Sequence, residues 1–223
     1  MFFKSVFINE RKGLLASEDP IPVDHELFQF SCCPRHDYKT MLDLVESDPG
    51  VINRVVGGCK KTLLHRCIEY HRPCMVEYLL KKDALQLMDA AGNVPLHIAA
   101  SVGNADVAEM LIKHGAEVDA VNKEGDRPLH LAAETGNLPT VLCLLGHGAQ
   151  VDSSGWRGSS ALHAASENGH VDVMKILIDR GVDVTIVNKL RETPLHLASG
   201  SDNINSLESV ELLLENGAHM SAK

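Results

Sequence analysis

The chain has 223 residues, 44% hydrophobic but only 4% aromatic, and a formal net charge of −9 at pH 7. So few rings exclude a thick aromatic-filled core and leave Leu, Val, Ile and Ala to pack thin helical layers. The acidic balance excludes a nucleic-acid backbone or an anionic membrane surface as the main partner, and no run approaches the roughly 20 apolar residues of a membrane span.

The opening stretch "MFFKSVFINERKG" is interrupted by Lys4 and ended by Asn9, Glu10 and Arg11, which is too short for a signal-peptide core. Residues 1–24 show no period, and Pro20 and Pro22 make them an irregular, extended lead-in. Residues 25–56 read as a degenerate capping unit: "MLDLVESDPGVIN" (Met41 to Asn53) aligns without gaps on the later "VMKILIDRGVDVT", while Pro34 disfavours a helix ahead of it. Cys32, Cys33, Cys59, Cys67, Cys74 and Cys143 form no disulfide framework, and no Asn-x-Ser/Thr sequon occurs. A soluble protein of a reducing intracellular compartment is expected, the cytoplasm ahead of the nucleus.

From residue 57 one phrase recurs. "TLLH", "VPLH", "RPLH", "SALH" and "TPLH" end at His65, His97, His130, His163 and His196, at steps of 32, 33, 33 and 33 residues. Gly103, Gly136 and Gly169 follow their histidines by six residues, and Gly115, Gly148 and Gly181 by eighteen. Between the two glycine columns lie the apolar runs "MVEYLL", "VAEMLI", "TVLCLL", "VMKILI" and "SVELLL", the first in a copy without these glycines. Each unit therefore predicts a short inner helix, a glycine turn, a longer outer helix and a glycine stop. The units are 57–88, 89–121, 122–154, 155–187 and 188–223. None can bury its apolar faces alone, so stacking into an all-α solenoid is expected.

Some copies depart from the pattern. In the first, Lys60, His71 and Asp83 replace the finger, inter-helix and helix-stop glycines. The fifth has 21 residues from His196 to Gly217 instead of 18, with the polar "GSDNINS" at the inter-helix turn, and Arg191 in place of its finger glycine. The chain stops at a unit boundary, which predicts a piece of a longer protein.

The full unit "DAAGNVPLHIAASVGNADVAEMLIKHGAEVDA" resembles an ankyrin repeat, and the resemblance runs from about Gly57 to Lys223. It implies a β-hairpin finger on every unit, an L-shaped section, and a concave face of fingers and inner helices that contacts other proteins.

Several residues invite chemistry. His65, His97, His130, His163 and His196 occupy one column, and a catalytic group has no reason to recur along a rod; a structural role at the helix start is expected. Cys59, His65, Cys67, His71 and Cys74 are zinc-type ligands, but Cys67 falls in the column of Ala99, Ala132, Ala165 and Ala198, and no paired C-x-x-C supports a site. Cys32, Cys33 and His36 are a second weak set. No metal and no cofactor are expected. Ser160 with His163 and Asp152 suggests a hydrolase triad, yet no G-x-S-x-G elbow frames the serine. This segment is not expected to be an enzyme.

Columns facing the core repeat, while others vary, and by resemblance the variable ones are contact positions. On the fingers these include Lys123, Glu124, Asp126, Trp156, Arg157, Lys189 and Leu190; on the inner helices, Glu69, Tyr70, Ser101, Val102, Glu134, Thr135, Glu167 and Asn168, with Ser201 in the fifth unit. Trp156 reads either as a brace against a neighbouring finger or as an exposed anchor beside Arg157. The fingers lean basic through Lys123, Arg127, Arg157, Lys189 and Arg191, and the inner helices acidic through Glu69, Glu134 and Glu167. A protein-interaction module is expected, monomeric as this segment, binding a protein or peptide but neither nucleic acid nor a bilayer. The rival reading is a regulatory arm of an enzyme or channel whose working domain follows residue 223. A small-molecule sensor is a third, disfavoured because a concave face offers few deep apolar pockets.

Overall fold

The computed structural model describes residues 38–55, 57–200 and 205–219. The expected lead-in, the first half of the capping unit with Cys32, Cys33 and His36, Ser201, and the terminal Lys223 lie outside the described residues. The described residues form eleven α-helices: α1 (Tyr38–Ser47), α2 (Leu63–Glu69), α3 (Pro73–Lys81), α4 (Pro95–Ser101), α5 (Ala105–Lys113), α6 (Pro128–Thr135), α7 (Leu138–Gly146), α8 (Ala161–Asn168), α9 (Val171–Asp179), α10 (Pro194–Gly200) and α11 (Ser206–Glu215).

From α2 onward the helices alternate between two layers. Each of α2, α4, α6, α8 and α10 packs on the next as an inner layer, and α3, α5, α7, α9 and α11 do the same as an outer one. The apolar columns of the sequence meet between them: Leu64, Leu96, Leu129 and Leu162 from the inner helices and Leu79, Leu111, Leu144, Leu177 and Leu213 from the outer ones are wholly buried. Ala99, Ala132, Ala165 and Ala198 are also fully buried, and small side chains there let successive inner helices approach closely. Cys67 fills the same column in the first unit, where burial pushes its thiol up to about 12. Ahead of the stack, the 3-10 turn Pro49–Asn53 packs on α2, and the Asn53 side chain accepts the Leu85 amide at 2.7 Å.

A finger projects between each outer helix and the next inner helix. The Asp89 amide donates to the Asn93 carbonyl at 2.9 Å and the Asp89 carbonyl accepts from the Gly92 amide at 3.0 Å; the same pair of main-chain bonds recurs at 122–126, 155–159 and 188–192. The expected β-hairpins are not formed as strands among the described residues. Fingers are tied by lone main-chain bonds, Ala90 to Cys59, Lys123 to Ala91 and Lys189 to Arg157, and a ladder needs consecutive pairs.

Left-handed backbone marks the three glycine columns, and the residues that replace glycine adopt it too: Lys60 (φ 51°), His71 (φ 53°), Asp83 (φ 58°) and Arg191 (φ 64°). Such a conformation costs a side-chain-bearing residue roughly 1–2 kcal/mol. At the helix stop, Gly115 has φ 84° and open space where a Cβ would stand, so only its backbone conformation demands glycine. Gly115→Ala should therefore lower stability by about 1 kcal/mol, and Asp83→Gly, at the equivalent stop, should raise it or leave it level. Urea-denaturation midpoints check both; an Ala variant as stable as the parent contradicts the column.

Candidate partner-binding face

The first four recurring histidines each link a helix to two fingers. In His97 the Nδ1 accepts the Val94 amide at 3.3 Å, so the Nε2 carries the proton and donates to the Asp126 carbonyl of the next finger at 3.1 Å. His65 accepts from Thr62 and donates to Asn93 at 3.2 Å. His163 accepts from Ser160 and donates to Glu192 at 3.1 Å. His130 accepts from Arg127 but donates to Ser153 at 2.9 Å, at the base of its neighbouring finger rather than on its far leg. His196 accepts from Thr193 and, with no described finger after it, is exposed. Burial holds the first four imidazoles below their ordinary pKa, against the pull of the carbonyls and of nearby carboxylates such as Asp126.

The exception at His130 has a local cause. Asp89, Asn122 and Asn188 each fold their side-chain oxygen onto two amides of their own finger, Asn122 onto Glu124 and Asp126 at 3.0 and 2.9 Å. The fourth finger has Gly155 at this position. Lacking that side chain, its tip winds into the 3-10 turn Trp156–Gly158, and Asp126 reaches across from the third finger to accept the Trp156 amide at 2.7 Å. A Cβ on Gly155 would fall 2.2 Å from the Asp126 Oδ1. Trp156 consequently stands 50% exposed, with the Arg157 guanidinium 3.9 Å from its ring centroid. Arg157 itself takes φ 52°.

The other expected contact residues divide. Lys123 and Glu124, Lys189 and Leu190 are exposed on the fingers, although Lys123 Nζ donates to the Ala90 carbonyl at 2.7 Å. Arg127 turns away from the tips, toward Asp119 and the Ser154 carbonyl. On the inner layer, Glu69 is held by Lys61 and by Arg66 at 3.0 Å, its side chain 9% exposed. Tyr70 is exposed. Ser101, Thr135 and Asn168 bond carbonyls of their own helices, and Val102 packs against the core. Glu134 is half-buried, and burial first, then Asp126, Glu167 and Glu124, raise its carboxyl pKa. Glu167 is exposed.

One column escaped the sequence reading. Met88, Val121 and Val187 precede the finger turns at 33-residue spacing, with Val55 in phase ahead of them, and all four are exposed apolar side chains. Their period was visible, but it signals burial as readily as display.

The residues that invited chemistry are dispersed. Ser160 Oγ lies 2.9 Å from His163 Nδ1, but both residues are buried and the far ring nitrogen faces the Glu192 carbonyl, while Asp152 is exposed. Cys59, His71 and Cys74 are exposed, and His65 and Cys67 are buried. Among the described residues no three His, Cys, Asp or Glu side chains converge as a metal site, and no helix is long and apolar enough to cross a membrane.

A family model for ankyrin repeats matches the chain three times, over residues 30–122, 64–154 and 129–223. An ankyrin repeat protein of Acanthamoeba polyphaga mimivirus, L484, is 43% identical over 47 residues, a stretch that makes up 21% of this chain and 2% of that relative.

Two measurements follow from this geometry. The four buried imidazoles are less basic folded than unfolded, so acidification through the ordinary value of 6.5 protonates the unfolded chain first. Stability is full above that pH and falls below it, by up to about 1.4 kcal/mol per pH unit for each histidine. Glu134, with its raised pKa, opposes this in a small way. The melting temperature should drop between about pH 7.5 and about pH 5.5, and His130→Ala should flatten the slope; a level profile contradicts the bonding. Trp156 is the sole tryptophan. Its emission should be red-shifted and quenched by iodide in the folded protein, and a blue-shifted, protected signal would show it acting as a brace.

Proposed function

Because the chain belongs to the ankyrin-repeat family, whose repeats serve generally as protein-interaction modules, we propose that residues 57–223 bind a protein or peptide partner on the face formed by the fingers and the inner helices. The 3-10 turn Pro49–Asn53, packed on α2, closes the first unit in this reading. The observation that carries it is Trp156, half-exposed on a finger re-formed around Gly155, with Arg157 laid on its ring. A half-exposed indole gives up little on leaving water for a partner and contributes a few kcal/mol when covered. Met88, Val121, Val187 and Leu190 extend the same exposed apolar surface along the fingers. Arginine and tryptophan anchors with weaker apolar neighbours are the composition of an interface centre.

The histidine column serves the scaffold in this reading, since its ring nitrogens are occupied by main-chain groups. The described cysteines, Cys59, Cys67, Cys74 and Cys143, are free thiols, which supports an intracellular, reducing setting.

A quantitative pull-down with the whole chain tests the face. Trp156→Ala should leave the melting temperature nearly unchanged and weaken recovery of the specific partner by about tenfold or more, equivalent to about 1.4 kcal/mol. If recovery is indifferent to Trp156→Ala and also to Glu134→Lys and Glu167→Lys, the partner binds elsewhere.

A further inference from the structure

On a protein of net charge −9, the fingers carry cations that have no acidic partner among the described residues. Lys60, Lys123, Arg157 and Lys189 are exposed, and none of them pairs with a carboxylate of the described residues. Neighbouring cations do pair: Lys61 with Glu69, and Arg127 with Asp119. The difference separates charges neutralised within the scaffold from charges left to face a partner, even where, as at Lys123, the ammonium also donates to a carbonyl.

Beside these cations runs the exposed apolar column of Met88, Val121 and Val187, broken at Ser154, where Trp156 stands two residues on. Between the third and fifth fingers this edge opens into a groove of about 440 Å³, lined by Ser154, Arg157, Val187 and Lys189, with Glu124 as its one carboxylate. Lys123 stands next to Glu124, so the groove and its rim carry a positive balance. The acids Glu134 and Glu167 belong to the inner helices α6 and α8, a different part of the face.

A guanidinium stacked on an indole keeps its N–H edge available, and that edge matches a carboxylate through two parallel bonds. An apolar column alone would accept any greasy partner, whereas cations along it select one that alternates acid and apolar groups. We propose that the groove takes an extended acidic–apolar segment of the partner protein, its carboxylates on Arg157 and Lys189 and its aliphatic or aromatic side chains over Val187 within the groove and over Trp156 beside it. This rests on the recognition face argued above and names the chemistry of its ligand.

Short random-sequence peptides displayed on phage and selected on the full chain test it. The enriched peptides should combine Asp or Glu with Leu, Ile or Phe. Synthetic copies should bind roughly tenfold or more weakly to Arg157→Gly and to Lys189→Glu, and should weaken as salt rises from about 0.05 M to about 0.5 M. Arg157→Gly keeps the fold because position 157 already has a left-handed backbone, so its melting temperature should hold or rise. Arg180→Glu, the same charge change as Lys189→Glu but at the exposed end of α9, should leave binding as it is. Basic peptides that ignore Arg157→Gly and are lost on Glu134→Lys or Glu167→Lys overturn the acidic-segment proposal while leaving the recognition face standing. Enriched peptides indifferent to substitutions on both fingers and inner helices overturn the face itself.

Discussion

One bond, repeated, sets the geometry of the binding face: the Nε2 of a buried histidine donating to a carbonyl of the following finger, from His65 to Asn93, His97 to Asp126 and His163 to Glu192. The opposite nitrogen is fixed by the amide three residues upstream. Each ring therefore spans its own finger and the next, and does so only when neutral. In a stack whose units touch only their neighbours, such a bond is both the local fold and the coupling between units. The tip side chains carry less of the fixing, since finger-to-finger ties run mainly through main-chain groups such as Lys123 to Ala91 and Lys189 to Arg157, and so they can vary.

The fourth finger shows what variation at one position can do. Asp89, Asn122 and Asn188 stabilise their own turns, but Gly155 cannot. Asp126 takes over from the neighbouring finger, His130 bonds Ser153 instead of the far leg, and Trp156 is lifted to the tip. A single missing side chain re-forms a turn and displays the only indole of the protein. Functional features of repeat proteins arise readily this way, because the neighbouring units hold the frame while one loop departs from it.

Much of the scaffold was legible from period alone. The phase of His65 to His196, the buried leucine columns and the left-handed positions all follow from spacing, and Lys60, His71, Asp83 and Arg191 were identifiable as residues standing where glycine belongs. The binding face was less legible because its details lie in contacts between units. Nothing in the sequence around Glu69 says that Lys61 and Arg66 both hold it, or that Arg127 turns to Asp119. The Asx column was readable as Asp, Asn, Gly, Asn at 89, 122, 155 and 188, yet the consequence of the glycine depends on Asp126 lying within reach. Strands were expected in the fingers, but each finger holds its neighbour by too few bonds for a ladder.

The most direct test is the protonation of the imidazoles, read by long-range nitrogen–proton NMR on the ring nitrogens. His65, His97, His130 and His163 should be neutral, with the proton on Nε2 and a bare, accepting Nδ1, and should stay so below the ordinary pKa of 6.5. Rings protonated on Nδ1, or charged at neutral pH, would contradict this bonding, since neither form can accept the upstream amide that orients each histidine toward the next finger.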